Sequence, residues 1–214
     1  IQVFYSMLNE NGKAGFVMAN SAVDARHSEF EIRKKLIEKG VLDVIISVAS
    51  NFFYTVTLPV TLWFLSKKKR NTINEDKVLF IDARKVFHQI DRAHREFTLR
   101  QIEFISNIVR LYRGQQPEIS RCSSSLVKNY FPNSEYLDVD GLCKAATVKD
   151  IEEQSWSLNP ARYVGVKAHK EDFDFHERMN NLLNEFSELS IESDILRRSI
   201  EQNARQILEI KNEK

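Results

Sequence analysis

Four consecutive cations, Lys67-Lys68-Lys69-Arg70, are the densest run of charge in the chain. Such a run has two readings, a solvated hairpin tip or a contact for backbone phosphates. Asp82-Ala83-Arg84 closes an apolar segment and reads as a structural ion pair rather than a catalytic acid. His27, His88, His94, His169 and His176 show no His-x-x-x-His spacing and no neighbouring cysteine set, so they read as surface residues with no metal ligation. Cys122 and Cys143 are too far apart for a Cys-x-x-Cys motif and too few for a disulfide framework, which suits a reducing cytosol and a cytoplasmic protein. The 6 glycines stand singly, so neither Gly-x-Gly-x-x-Gly nor a Walker loop is present, and Gly-x-Ser-x-Gly is absent too. No enzyme is self-contained in these residues.

Such residues need elements to hold them. The chain has 214 residues, 43% hydrophobic and 29% charged, with a net charge of +1. That composition is globular, large enough for a core, and excludes a polyelectrolyte partner for the chain as a whole. Charge is uneven: from Lys170 to Lys214 there are 7 basic and 11 acidic residues, a balance of −4 that leaves +5 before it. Any nucleic-acid surface therefore lies before Lys170. The stretch from Val41 to Leu65 is interrupted by Asp43, Asn51 and Pro59, so it reads as a strand pair and not a membrane span. Nothing at the start reads as a signal peptide.

Ile1 to Leu8 resembles the last turns of a helix, and Asn9-Glu10-Asn11-Gly12 a turn before a buried strand at Ala14 to Ala19. Ser28 with Glu31 has capping-box spacing and Gly40 a C-terminal position, predicting a helix from about Glu29 to Lys39. Val41–Val48, Thr55–Leu65 and Lys77–Ala83 are β-branched or aromatic and predict strands. The order predicts a mixed α/β sheet, parallel at first and ending in an antiparallel hairpin whose turn holds Lys67–Arg70. Thr98 with Gln101 caps a further helix along Ile102, Ile105, Val109 and Tyr112, ended by Arg113-Gly114. This gives an α/β unit over residues 1–114, an irregular connector over 115–168 with Pro117, Pro132 and Gly141, and a helical tail over 169–214.

The tail is the most regular segment. Phe175, Met179, Leu182, Phe186 and Leu189 alternate spacings of four and three, and the register continues through Leu196, Ile200, Asn203, Ile207 and Ile210. One helix of roughly 40 residues would be about 60 Å long, and its apolar seam asks for a partner helix. A hairpin broken and capped at Ser190 is the competing geometry; the unshifted register favours the unbroken helix.

Several segments occur in a characteristic order: Gly12-Lys13-Ala14-Gly15-Phe16-Val17-Met18-Ala19-Asn20, Ile32-Arg33-Lys34-Lys35-Leu36, Ser50-Asn51-Phe52-Phe53-Tyr54-Thr55 with Leu58-Pro59-Val60, Leu62-Trp63-Phe64-Leu65, and Lys77-Val78-Leu79-Phe80-Ile81-Asp82-Ala83-Arg84-Lys85. They resume at Asp140-Gly141-Leu142-Cys143 and at Leu158 to Gly165. Together they resemble the modification (M) subunit of type I restriction–modification systems, an adenine-specific DNA methyltransferase that uses S-adenosylmethionine. Ala49, Thr57 and Ala161 depart from the residues usual there, and Thr57 bears on the loop around the base pocket. Asn159-Pro160-Ala161-Arg162 is superficially like the Asn-Pro-Pro-Phe loop of amino-group methyltransferases. It lacks the second proline and the aromatic, and reads as a rigid connector.

The resemblance implies that the glycine-rich cofactor loop and the catalytic loop belong to a preceding half, so that this chain is the C-terminal half of such a subunit, inactive alone and without cofactor. It implies that Phe53 stacks on an adenine rotated out of the duplex, which restores about 1–3 kcal/mol of lost stacking; Tyr54 and Thr55 would line the same pocket. The plainer reading has Phe52 and Phe53 alternating between core and surface. Implied partners are the specificity subunit on the helical tail, the N-terminal catalytic half or a second M subunit, the restriction subunit, and double-stranded DNA, with no membrane. The alternative is a non-catalytic coiled-coil scaffold on a degenerate α/β platform.

Overall fold

A computed structural model of the chain describes residues 1–53, 57–69, 72–91, 94–165 and 175–212; within the last range, side chains are described for 179–205. The elements are α1 (Gln2–Met7), β1 (Lys13–Ala19), α2 (Ser28–Glu38), β2 (Leu42–Val48), β3 (Val60–Ser66), β4 (Lys77–Asp82), β5 (His88–Gln89), β6 (Arg95–Glu96), α3 (Leu99–Tyr112), α4 (Ser124–Tyr130), β7 (Cys143–Thr147), α5 (Val148–Glu153) and α6 (Phe175–Asn212). They form two compact units, Ile1–Lys167 and Ala168–Lys214.

The first unit is a mixed α/β fold on a 5-stranded sheet of order β1-β3-β2-β4-β7. The only parallel pair among the described strands is β2 with β4. β1 and β2 run in the same direction, as expected of a strand–helix–strand unit, but β3 lies between them and is antiparallel to both. The expected β3–β4 hairpin is therefore corrected: β2 separates those strands, and Lys67–Lys69 begins a crossover. Nothing in strand composition signals insertion order, which depends on where a strand returning from a long excursion finds an open ladder.

β2 is buried along its whole length, as a central strand with both faces covered must be. A register shift between Leu42 and Val44 is a bulge that puts Leu42 and Ile45 on one face, with Val44 and Ile46 on the other. β1, expected to be buried, alternates exposed and half-buried residues because it pairs on one side only. There Gly15 gives room to Phe64, whose ring a Cβ would meet at 3.0 Å.

One sheet face buries Ile37, Ile45, Trp63, Phe80, Ile151 and Leu158; the other packs Ile46, Leu79 and Ile81 on Phe104, Ile108 and Phe131. Phe80 is fully buried and stacks on Tyr163 at 4.0 Å between centroids. Phe80→Ala should cost about 3–5 kcal/mol in urea unfolding; a loss below about 1 kcal/mol would contradict this packing.

The helix ends follow local chemistry. Thr98 and Gln101 form the predicted capping box, with the Gln101 amide donating to Thr98 Oγ1 at 3.3 Å and the Thr98 amide to Gln101 Oε1 at 2.9 Å. Ser28 is the first helical residue rather than the cap; His27, at φ 59°, takes that place, and its carbonyl accepts the Phe30 amide. Gly40 at φ 62° ends α2, with amide bonds from Gly40 to Ile37 and from Val41 to Leu36. The stretch read as a connector contains β7, which pairs antiparallel with β4, and a capping box of Thr147 and Asp150 that starts α5.

Glu103 of α3 is buried and organises the 118–123 loop, accepting from the Arg121 amide at 2.6 Å, the Ser123 amide at 2.9 Å and Ser120 Oγ at 3.1 Å. Burial pushes this carboxyl up, but the bonds from Ser123, Arg121 and Ser120 outweigh it and hold it down at about 2. An unfolded glutamate titrates near about 4.3. The stabilisation is thus complete above that pH and is lost as pH falls through about 2. Glu103→Gln should remove this part of the acid-unfolding profile; coincident profiles for the two proteins would contradict it.

The second unit contains α6, which runs unbroken over 38 residues, about 57 Å at 1.5 Å per residue. Ser190 does not cap a new helix: its hydroxyl donates to the Phe186 carbonyl one turn back at 2.8 Å.

Candidate functional site

Val44 pairs with Leu79 and Ser47 with Asp82, so β2 and β4 end on the same side of the sheet. β1 also ends there and β3 begins there, with the Asn20 amide donating to the Pro59 carbonyl at 3.2 Å. The carboxyl ends of parallel strands are where open α/β sheets bind ligands.

The chain leaves β2 through Ala49, Ser50 and Asn51. Asn51 has φ 68°, a left-handed conformation that asparagine tolerates, and its carbonyl accepts the Arg95 amide at 2.9 Å. That bond fastens the segment to the short β5–β6 hairpin, where His88 pairs with Glu96 and Gln89 with Arg95. Phe52 packs on Phe97, with ring centroids 4.5 Å apart. Phe53, past the carboxyl end of β2, is 43% exposed. Tyr54 and Thr55 lie outside the described residues.

Asp82 ends β4 in a two-bond ion pair, Arg84 Nε to Oδ1 at 2.8 Å and Nη2 to Oδ2 at 2.6 Å. The hydrogen bonding raises the Arg84 pKa, and the ion pair that the sequence suggests is present. Asn159 Oδ1 accepts the Ala161 amide at 3.2 Å, and Pro160 is buried. This Asn-Pro pair shapes a short 3-10 turn that sets Tyr163 on Phe80.

Lys67–Lys69 follows β3 at the other end of the sheet. Lys69 is 6% exposed and its Nζ donates to the Leu42 carbonyl at 2.6 Å. Burial lowers its pKa to about 8 despite the opposing pull of Asp43, Asp76 and Glu75. Lys67 Nζ donates to the Leu8 carbonyl and sits 5.3 Å from the Tyr5 ring centroid. Lys68 is exposed, and Arg70 lies outside the described residues. The length of the seven-residue β2 separates this end from Phe53, roughly 23 Å at 3.3 Å per residue. The structure does not bring the two candidate groups together.

Along α6 the seam is solvent-facing: Phe186 is 70% and Ile200 67% exposed, and Met179, Leu182, Leu189 and Leu196 are exposed as well. Asn203 is exposed too, and the side chains of Phe175, Ile207 and Ile210 lie outside those described. An apolar stripe of this length is unusual on a free surface. Sequence reasoning missed the β5–β6 hairpin, whose strands of 2 residues each are too short for alternation to register. Among the described residues, no cluster of three or more His, Cys, Asp or Glu could hold a metal ion, and no helix is long and apolar enough to cross a membrane.

The family model for N-6 DNA methylase matches residues 1–172. A type I restriction enzyme methylase subunit of Methanocaldococcus jannaschii is 34% identical over 192 residues, covering 90% of this chain and 31% of that protein. A methylase subunit of the same class from Haemophilus influenzae is 28% identical over 198 residues, 92% of this chain and 40% of its own length. The chain thus spans between 31% and 40% of these relatives. Among solved structures, a type I restriction–modification methyltransferase subunit from Streptococcus thermophilus superposes with a TM-score of 0.57 at 27% identity, over 76% of this chain and 28% of that one. On a family match spanning most of its length and a relative above 30% identity, the chain belongs to the N-6 DNA methylase family, with methylase subunits of type I restriction enzymes as its relatives.

Proposed function

We propose that these residues are the C-terminal part of the modification subunit of a type I restriction–modification system. They supply a stacking face for the target adenine and the helix that docks the specificity subunit. The observation that carries the reading is Phe53, exposed at the ligand-binding end of the sheet and fastened through Asn51 and Arg95. A base rotated out of DNA loses both stacking neighbours, and an aromatic face replaces one of them. The α6 seam docks the specificity subunit by burying its heptad positions against partner helices, with Asn203 fixing register. In the complete assembly the partners are the N-terminal catalytic part, a second modification subunit, the restriction subunit and double-stranded DNA, in the cytoplasm.

S-adenosylmethionine would be held by the rest of the subunit. The loops after β1, β2 and β4 carry no glycine-rich segment whose amides could approach a nucleoside. Gly15 and Gly40 serve the fold itself, since a Cβ on either would meet the Phe64 ring or the Glu75 carbonyl at 3.0 Å. These 214 residues alone do not fit the cofactor and do not transfer a methyl group. Calorimetry of the chain with S-adenosylmethionine should give no binding heat; micromolar affinity would overturn this part of the proposal.

The long exposed seam also favours a second reading, a non-catalytic scaffold that self-associates through α6. Partner choice separates the two.

A further inference from the structure

We propose that the β4–β5 turn and the β5–β6 hairpin, through Lys85 and Arg95, hold DNA backbone phosphates beside the base that Phe53 stacks. The inference rests on the base-stacking role of Phe53 and adds the contact that would keep a rotated nucleotide in place. Lys85 lies in the turn that follows β4, where the Ala83 amide donates to the Ser47 carbonyl at 2.9 Å and the Val86 amide to the Ala83 carbonyl at 3.0 Å. It therefore stands at the same sheet end as Phe53. Arg95 is closer still, since its amide bonds the Asn51 carbonyl two residues before Phe53. That hydrogen bond joins the hairpin to the stacking segment.

The side chains suit phosphate. Lys85 is exposed and, among the described residues, has no ion pair or hydrogen bond. The Arg95 guanidinium lies over the Phe87 ring at 4.2 Å, and among the described residues its Nε alone is engaged, donating to Gln89 Oε1 at 3.1 Å. Stacking on an aromatic ring orients the planar fork and leaves its terminal N–H groups for an anion. Local charge favours the same partner: residues 82–100 hold 5 basic and 3 acidic side chains. Asp82 is taken by Arg84, and His94 Nδ1 is 2.7 Å from Asp91, leaving Glu96 as the remaining carboxylate. The lysine run cannot serve here, because it lies beyond the far end of β2. Rotating a base out of the stack moves its flanking phosphates, so cations fastened to the stacking segment hold the backbone in its rotated form.

The test uses the full-length modification subunit assembled with its specificity subunit, and a duplex carrying the methylation site. DNA affinity is measured from about 50 to 200 mM salt, a range over which each lost phosphate contact lowers the slope of log affinity against log salt by about 0.9. Lys85→Gln should lower the slope by about 0.9, the pair Lys85→Gln with Arg95→Gln by about 1.8, and Lys85→Arg should keep it. A wild-type slope in the double variant, with assembly intact, would overturn the inference. Phe53→Ala in the same assay should keep the slope while lowering methylation by about 5- to 150-fold. Wild-type methylation by Phe53→Ala would instead overturn the stacking role, whatever the slopes of the other variants.

Discussion

Phe53→Ala, made in a full-length modification subunit, should lower kcat/KM for DNA methylation by about 5- to 150-fold, the equivalent of the 1–3 kcal/mol that one base–aromatic stack contributes. Assembly and overall stability should be unchanged, because Phe53 is 43% exposed while Phe52 makes the packing contact with Phe97. Phe53→Trp, which keeps an aromatic face, should retain most activity. The matched experiment on Phe52 separates the roles: Phe52→Ala loosens the segment that Asn51 and Arg95 fasten and should lower thermal stability as well as rate. Wild-type methylation by Phe53→Ala would assign that ring to surface and packing alone.

The larger effect is expected on α6. Leu182→Asp together with Leu196→Asp should weaken association with the specificity subunit by on the order of 1000-fold, since each places a carboxylate in an apolar interface and each such position is worth 2 kcal/mol or more. The two sites are 14 residues apart on one helix, about 21 Å, so their effects should add. Both side chains are already exposed in the chain by itself, so the unfolding midpoint of the first unit should not move. Association unchanged in the double variant would refute docking through the seam.

How far these positions were readable differs by element. Helix ends written in local chemistry came through: Thr98 with Gln101 is a capping box, Gly40 ends α2, and the unshifted heptad register of the tail is one continuous helix. Ser28 misled because its spacing to Glu31 imitates a box, whereas His27, at φ 59°, occupies the cap position. Sheet order was not legible. Whether β3 pairs with β4 or slips between β1 and β2 depends on contacts far apart in sequence, and strand composition is the same either way. β7 escaped because Cys143-Lys144-Ala145-Ala146-Thr147 has one β-branched residue, Thr147 at its end, and no aromatic to mark a strand. Tertiary pairing with β4 overrides that weak propensity.

The candidate site was legible only in part. Phe53 stood out through its neighbours in an ordered set of segments, and its exposed position at the carboxyl end of β2 follows from the parallel pairing with β4. The lysine run stood out for its charge density, yet Lys69 spends its charge on the Leu42 carbonyl inside the fold. A run of like charges carries no information on which of its members fold inward. Arg95 carried no signal, because what matters is its amide bond to Asn51, 44 residues earlier in the chain.

The most direct test of the central claim is the solution mass of the chain by light scattering, alone and mixed with a specificity subunit from the same operon. A defined complex containing both chains is the expected result, lost on Leu182→Asp with Leu196→Asp. Self-association of the chain with no response to the added subunit would contradict the claim and favour the scaffold.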